Sequence, residues 1–237
     1  MISPRQLANK EWEMEADSRQ LVNCTDWLSH NVAAWDWIAG RINSTFPLEE
    51  LDLTSWCYSS SRILDYGCGT GRLMIELNRL GIKNVIGMDT SSNMCKIART
   101  RMPGAIVTWI SNPRVPKFSD LMFDTVILVG VLSSVVPVNE RKALVMQLRD
   151  AIWPGGKILI ADFGRSDEPI YRNRYRLPTF EKYTFKTEED LFIHHFECEE
   201  IIDLLGSGFN TRETRRISTM TIHGNLLPGH IVLADRS

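Results

Sequence analysis

A turn that carries three glycines at alternate positions constrains the fold of this chain more than any other feature. Gly67, Gly69 and Gly71 follow the short apolar segment 62–66 and precede the helix-compatible segment 72–77. This order predicts a strand, a tight turn and a helix. Glycine allows positive φ and lets a ligand lie against bare backbone, and the free N–H groups of the following helix favour a negatively charged group. The segment therefore predicts a nucleotide-like ligand at the end of a strand.

The spacing of the glycines separates two classes of nucleotide site. A dinucleotide-binding turn carries its third glycine three residues after the second, but that position holds Arg72. The acidic Asp65 immediately before the turn is also atypical of a dinucleotide loop. The segment instead resembles the first motif of the class I S-adenosylmethionine (SAM)-dependent methyltransferases, in which hydrophobic residues precede an acidic residue and Gly-x-Gly-x-Gly. Cys68 occupies a variable position of that motif.

A second acidic residue ends the next predicted strand, residues 84–88. Asp89 follows Gly67 at about the 20-residue spacing that brings a carboxylate to both ribose hydroxyls of a bound nucleotide. A helix N-cap is the structural alternative, which Thr90 could also supply. The segment Gly-x-Asp-x-Ser-x-x-Met resembles the second motif of the family, in which the counterpart of Met94 borders the adenine.

Later segments match the family in the same order. Residues 105–110 predict a third strand, after which the family usually has an aspartate that accepts a hydrogen bond from the adenine amino group. Ser111 and Asn112 stand here, and an amide oxygen can accept the same bond. The run 123–129 is nearly all apolar, as a parallel strand buried on both faces should be. The resemblance implies that the backbone around Val129 and Gly130 faces the methionine part of SAM.

These segments together predict a doubly wound α/β fold with a mostly parallel seven-stranded sheet and helices on both faces. A helix at 140–152, a Pro-Gly-Gly stop and a fifth strand from residue 157 continue the pattern. Two final strands, within 212–222 and 230–234, complete the sheet, and the resemblance implies that the last is antiparallel to the rest. We assign residues 62–237 to this core and residues 1–61 to an N-terminal helical lid.

The segment 6–45 is predicted to be helical and holds four of the seven tryptophans: Trp12, Trp27, Trp35 and Trp37. Two interpretations stay open. The tryptophans can pack on the core domain, or they can form an aromatic lid over a cationic or planar ligand. The second interpretation makes Trp35 a candidate substrate-binding residue.

The predicted insertion at 164–193 is rich in arginine and aromatic residues. An insertion after the fifth strand commonly builds the acceptor pocket in the family. Its arginines could grip a carboxylate or phosphate, or they could form a solvated face. The candidate substrate-binding residues here are Arg172 and Tyr175, and Ser133 after the fourth strand is a third.

Two adjacent histidines, His194 and His195, follow the insertion. In a strand they face opposite sides, so at most one points into the pocket. A histidine beside an active site is a candidate general base because its ordinary pKa lies near working pH. A structural role is the alternative for each.

The composition of the chain limits the classes of binding partner that we expect. The formal net charge is −2 and the pI is near 6.2, so no basic surface field predicts binding to nucleic acid or to an anionic membrane. The five cysteines are scattered without metal-like spacing, which predicts no metal site and fits free thiols in the cytoplasm. The N-terminus lacks the apolar core of a signal peptide. We expect a cytoplasmic monomer or homodimer.

The sequence therefore predicts an enzyme that transfers a methyl group from SAM and releases S-adenosylhomocysteine. The expected acceptor is an oxygen or nitrogen of a small molecule, because the lid and the insertion imply an enclosed, aromatic-rich pocket. Two alternatives remain: an RNA or protein methyltransferase, and a non-catalytic SAM-binding module.

Overall fold

The computed structural model describes residues 27–41, 46–112, 121–177, 179 and 181–237. Of the predicted N-terminal helical segment, residues 6–26 and 42–45 lie outside these ranges. The part that is described contains one helix, α1, at Trp27–Ile38. The prediction of helix beyond residue 38 is wrong for residues 39–41, because Gly40 turns the backbone with φ of 75°.

The remaining elements alternate between strand and helix through most of the chain, as predicted. The strands are β1 (Ile63–Tyr66), β2 (Val85–Asp89), β3 (Ile106–Trp109), β4 (Phe123–Val129), β5 (Ile152–Phe163), β6 (Thr184–Lys186), β7 (Phe192–His194), β8 (Phe209–Met220) and β9 (Leu226–Arg236). The helices are α2 (Arg72–Arg79), α3 (Ser92–Arg101), α4 (Val138–Asp150), α5 (Pro169–Arg174) and α6 (Cys198–Leu205).

Seven of these strands form one sheet in the order β3-β2-β1-β4-β5-β9-β8, and β6 and β7 form a separate hairpin. Strands β1 to β5 are parallel, and β9 is antiparallel to both of its neighbours. The predicted fold is confirmed. The chain winds outward from β1 to β3, then returns to β4 on the other side of β1. This reversal opens a crevice at the carboxyl ends of β1 and β4, where open α/β sheets bind ligands.

Two predicted boundaries are wrong for one physical reason. The helix at α4 ends at Asp150, not 152, and the strand begins at Ile152, not 157. Ile152 pairs with Phe123 of β4 before the Pro-Gly-Gly segment, and the register then shifts. The Pro-Gly-Gly segment is therefore an irregularity within β5, because tertiary pairing overrides its turn propensity.

The core lies on both faces of the sheet, as its parallel topology requires. Alternate residues of the central strands contribute to opposite sides. Leu64 of β1 and Val126 of β4 belong to one buried apolar cluster, whereas Ile63 and Ile127 belong to the other. All four are fully buried, so the sheet is a rigid platform for the crevice at its edge.

Helix α1 is fixed to the core by a buried amide. Asn31 is 2% exposed. Its Nδ2 donates to the carbonyl oxygens of Ser134 and Phe192, each at 2.9 Å, and its Oδ1 accepts from the backbone N–H of Phe192 at 2.9 Å. Near the end of the helix, Asp36 Oδ1 accepts from Ser91 Oγ at 2.5 Å. Helix α1 is therefore bound both to the β6–β7 hairpin and to the start of α3.

We predict that Asn31→Ala lowers the free energy of unfolding by about 2–3 kcal/mol, because it leaves the buried backbone groups of Phe192 and Ser134 without their partner. Urea denaturation measures this change. Ser29→Ala on the exposed face of the same helix is the control, with an expected effect within about 0.5 kcal/mol. Equal stability of the two variants would show that the amide does not anchor α1.

Candidate active site

A cavity of about 540 Å³ occupies the crevice at the carboxyl ends of β1, β2 and β4. Its floor is the glycine turn between β1 and α2. Helix α1 forms one wall, and the insertion and the turn between β8 and β9 form the other. The predicted lid and the predicted insertion thus enclose a single chamber together with the sheet.

The glycine turn is held against β2 by backbone hydrogen bonds. The N–H groups of Gly67 and Cys68 both donate to the carbonyl oxygen of Met88, at 2.7 and 3.0 Å. Gly67 has φ of 76°, and a Cβ there would lie 2.4 Å from Val131 Cγ2. A Cβ at Gly69 would meet no atom within 4 Å, although its φ is 52°. Gly67 is thus needed for packing, whereas Gly69 faces open space where a ligand can approach the backbone.

The Asp89 carboxylate joins this turn to α3. Its Oδ2 accepts from the backbone N–H of Gly69 at 2.8 Å, and its Oδ1 accepts from the N–H of Ser91 at 2.8 Å. Burial raises the pKa of Asp89, and these backbone hydrogen bonds oppose that effect. Asp89 also lines the cavity, and each carboxylate oxygen has a second lone pair for a ligand hydroxyl. A structural role and ribose binding are therefore compatible in one residue.

Asp65 is the second acidic residue in the cavity wall. It is 2% exposed, and its Oδ2 has no hydrogen-bond partner among the described residues. Burial, reinforced by the charge of Asp89, raises the pKa of Asp65 to about 8, although Arg72 opposes the shift. A buried carboxyl group with an unpaired oxygen fits a ligand that carries positive charge.

These residues fit SAM. The ligand is cationic at its sulfonium and amino groups, and its ribose presents two hydroxyls. Asp65 would face positive charge, Asp89 would accept from the ribose, and the exposed backbone at Gly69 would permit close approach. When bound, SAM supplies a methyl group that is already activated by the positively charged sulfur.

Nine of the twelve residues predicted to bind the cofactor line this cavity, and three do not. Gly71 ends the turn, and a Cβ there would lie 3.3 Å from Ala98 Cβ, so it serves the packing of α2 against α3. Ser111 and Asn112 follow β3 outside the cavity lining, where Ile110 stands instead. The nine that line it are Asp65, Gly67, Cys68, Gly69, Asp89, Thr90, Met94, Val129 and Gly130.

The other half of the cavity has a mainly apolar and aromatic wall. Rings come from α1, from the end of β5, from α5 and from the β6–β7 hairpin. Trp35 and Ser133, two of the predicted substrate-binding residues, are part of the wall. The backbone N–H of Ser133 donates to Asp162 Oδ2 at 3.0 Å, which holds that segment in place. Besides Tyr66 and His223, the aromatic lining residues are Trp27, Trp35, Phe163, Tyr171, Phe185 and His195.

The arginine of α5 that lies at the cavity wall is not the one that the sequence predicted. Arg172 is exposed and lies outside the cavity lining, whereas Arg174 lines it. Arg174 Nη2 lies 3.1 Å from Glu188 Oε1, and its guanidinium is 5.5 Å from the centre of the Phe185 ring. Short helix α5 turns Tyr171 and Arg174, three residues apart, towards the cavity and leaves Arg172 in solvent.

The two predicted histidines face opposite ways, as alternation requires. His195 lines the cavity, and its Nδ1 lies 2.8 Å from the hydroxyl oxygen of Tyr175. His194 points away from the cavity, with its Nδ1 3.0 Å from Thr184 Oγ1 and its Nε2 3.6 Å from Glu200. Tyr175 is therefore a support for His195 and does not itself line the cavity.

Burial, together with the charges of His194 and Arg174, lowers the pKa of His195 to about 3. The imidazole is therefore neutral throughout the working pH range. A neutral imidazole can hydrogen-bond to a ligand, but it is a weak base. The prediction that His195 acts as a general base loses its chemical support.

The cavity wall also contains a pair of polar residues that the sequence did not predict. His223 lies in the turn between β8 and β9, with its Nε2 2.7 Å from Glu189 Oε1. Both residues line the cavity. They are 34 residues apart in the chain, and no local motif marks either, so only the packing of the turn against the insertion shows the pair.

Two further findings bear on the predicted partners. Within the described ranges, no group of three or more His, Cys, Asp or Glu side chains could hold a metal ion. In the same part of the chain, no helix is long and apolar enough to cross a membrane.

Comparison with known proteins agrees with this geometry. A methyltransferase domain family matches residues 63–156. A demethylmenaquinone methyltransferase of Paenarthrobacter aurescens is 33% identical over 48% of this chain and 43% of its own length. A ubiquinone/menaquinone biosynthesis C-methyltransferase of a Shewanella species is 29% identical over 50% of this chain and 49% of its own. The matches thus span about half the length of these curated relatives.

A solved SAM-dependent methyltransferase of Methanosarcina mazei is 26% identical to the chain. The superposition covers 82% of this chain and 99% of the other, with a TM-score of 0.72. The fold and the site define a class I, Rossmann-like methyltransferase domain. Residues 63–156 match a methyltransferase domain family, and the chain is similar in fold to a SAM-dependent methyltransferase, so SAM is the cofactor that these matches and the site support.

We predict that Asp89→Ala weakens S-adenosylhomocysteine binding by about 1–3 kcal/mol, or roughly 5- to 150-fold. The substitution removes the ribose acceptor and frees the glycine turn. Titration calorimetry measures the affinity. Asp124→Ala is the matched control, because Asp124 also accepts a backbone N–H, from Arg62 at 2.7 Å, but lies outside the cavity lining. Unchanged affinity in Asp89→Ala would contradict the assignment.

A second prediction concerns Asp65 in the ligand-free protein. Its pKa is raised to about 8 from an unfolded value of about 4, so the folded state holds a proton that the unfolded state releases. The protonated carboxyl group of Asp65 contributes its full stability to the folded state below about pH 4, and this contribution is lost as the pH rises towards about 8. Asp65→Asn should therefore gain about 1–3 kcal/mol of stability relative to wild type between these limits. Urea unfolding across this pH series measures the difference, and parallel curves would contradict the assignment.

Proposed function

We propose that this protein transfers the methyl group of SAM to an oxygen or nitrogen of a small, planar, mostly apolar acceptor. The observation that carries the proposal is the second half of the cavity, where rings of α1, β5, α5 and the β6–β7 hairpin surround one chamber. Aromatic and aliphatic walls with few polar groups are typical of pockets for small molecules.

The chamber is suited to a ring more than to a chain. Phe185 lies edge-on to His195 with 4.9 Å between ring centres, and Tyr171 lies 5.2 Å from the same imidazole. Edge-to-face contacts of this kind extend readily to one more aromatic ring. The neutral imidazole of His195 supports binding of a hydroxyl or amino substituent, because it can hydrogen-bond without placing a charge in an apolar site.

Methyl transfer needs little from the protein besides alignment and exclusion of water, since the sulfonium is already reactive. Helix α1 supports both requirements. Its Trp27 and Trp35 line the cavity, and its Asn31 anchors it to the hairpin that forms the opposite wall. A small acceptor fits such an enclosed chamber better than a segment of RNA or protein.

The named relatives introduce a second candidate, a carbon acceptor on a quinone-type ring. One is a demethylmenaquinone methyltransferase, and the other is a C-methyltransferase of ubiquinone and menaquinone biosynthesis. The family match ends at residue 156, before the insertion that lines the acceptor half. The names therefore favour a planar ring but do not decide between oxygen, nitrogen and carbon.

The test is transfer of labelled methyl from SAM to a naphthohydroquinone, to a naphthylamine, and to mixed cellular RNA and protein. We expect labelled naphthalene product, and mass spectrometry with fragmentation distinguishes methylation on oxygen, nitrogen and ring carbon. Label that appears only in nuclease- or protease-sensitive material would contradict the proposal. The Asp89→Ala variant, with its weakened cofactor binding, gives the background level of label.

A chamber variant checks where the acceptor binds. Ile193 lines the cavity on β7, and Ile193→Arg places a long charged side chain in its apolar half. We predict at least roughly a 10²-fold loss of methyl transfer, because the charge must be desolvated and the ring displaced, with S-adenosylhomocysteine affinity retained. Lys182→Arg, outside the cavity lining, is the control. Normal transfer by Ile193→Arg would place the acceptor elsewhere.

A further inference from the structure

A hydroxyl acceptor must lose its proton to become a good nucleophile, and the structure limits which histidine can accept it. All five histidines lie within the described residues. His30, His194 and His230 lie outside the cavity lining. His195 lines the cavity, but its lowered pKa makes it a weak base. His223 is the histidine that remains.

His223 is held at the cavity wall by two independent constraints. The turn that carries it is closed by backbone hydrogen bonds, from Thr221 N–H to the Asn225 oxygen and from Gly224 N–H to the Thr221 oxygen, each at 2.9 Å. The imidazole Nε2 lies 2.7 Å from Glu189 Oε1. Both backbone and side chain are therefore fixed relative to the chamber.

The carboxylate partner is itself positioned. The Glu189 side chain is 10% exposed, whereas the His223 side chain is 39% exposed. A second carboxylate, Glu188, lies 4.0 Å from His223 Nε2 and is bound on its other side by Arg174 at 3.1 Å. Among the described residues, two carboxylates therefore lie beside the imidazole of His223.

We propose that His223 is the general base for hydroxyl acceptors and that Glu189 is its positioning residue. This assignment rests on the proposed function. Glu189 pairs with Nε2 of the imidazole, which leaves Nδ1 to take the proton of the acceptor. The acceptor oxygen bonds to the methyl carbon while the carbon–sulfur bond breaks with its electron pair going to sulfur. The proton goes to Nδ1 and then to water at the exposed side of the ring.

The proposal separates two kinds of acceptor. A neutral amine attacks through its own lone pair and can release its proton to solvent after transfer, so proximity alone suffices. A hydroxyl depends on the base, whose removal typically costs 10²–10⁴-fold. Removal of a general base should therefore reduce methylation of hydroxyl acceptors only, whereas a structural defect should reduce methylation of both acceptors.

The experiment compares His223→Gln with wild type on the naphthohydroquinone and the naphthylamine. We expect a fall of roughly 10²–10⁴-fold in kcat for methyl transfer to the hydroxyl, with amine methylation and S-adenosylhomocysteine affinity within about 3-fold. His30→Gln is the matched control, because His30 pairs at 3.1 Å with Asp190, the residue that follows Glu189, but lies outside the cavity lining. Imidazole added to His223→Ala should restore part of the hydroxyl activity.

The pH profile of hydroxyl methylation provides the second readout. Wild type should show an acidic limb that His223→Gln lacks, because a general base works only in its unprotonated form. Glu189→Gln should lower kcat for the hydroxyl acceptor and leave amine methylation unchanged, because the imidazole loses the carboxylate that positions it. Normal hydroxyl methylation by His223→Gln, or an acidic limb that is unchanged in this variant, would show that His223 is not the general base. Wild type that labels neither naphthalene probe would instead contradict the proposed function, and the base with it.

Discussion

The site depends on one carboxylate that accepts two backbone hydrogen bonds. Asp89 binds the N–H of Gly69 on one side and the N–H of Ser91 on the other, each at 2.8 Å. The first bond fixes the shape of the glycine turn, and the second fixes the start of α3. Because the turn lies at the reversal of strand order, this carboxylate joins the glycine turn to the start of α3 at the floor of the cavity.

The second constraint is the attachment of α1 across that floor. Asn31 joins the helix to β7, and Asp36 joins it to Ser91, which itself donates its N–H to Asp89. The lid is thus continuous with the cofactor-binding turn through a chain of hydrogen bonds. The same attachment holds α1 in place as one wall of the cavity.

The sequence predicted those parts whose signals are local. The glycine turn, Asp89 and the apolar run of β4 each carry their pattern within a few residues, so the fold and most of the cofactor floor followed. Features that depend on tertiary packing were not predictable in this way. The orientation of short α5 places Arg174 in the cavity wall instead of Arg172. Pairing of Ile152 with Phe123 moves the start of β5. Burial lowered the pKa of His195, and the contact of His223 with Glu189 joins distant segments; neither effect leaves a local pattern.

The position of the cofactor is tested most directly by a crystal structure of the protein with S-adenosylhomocysteine. We predict ribose hydroxyls within hydrogen-bond distance of the Asp89 carboxylate, the amino group on the side of Asp65, and the sulfur directed towards the chamber between α1 and the β6–β7 hairpin. A ligand bound away from the glycine turn, or a sulfur directed away from that chamber, would contradict it.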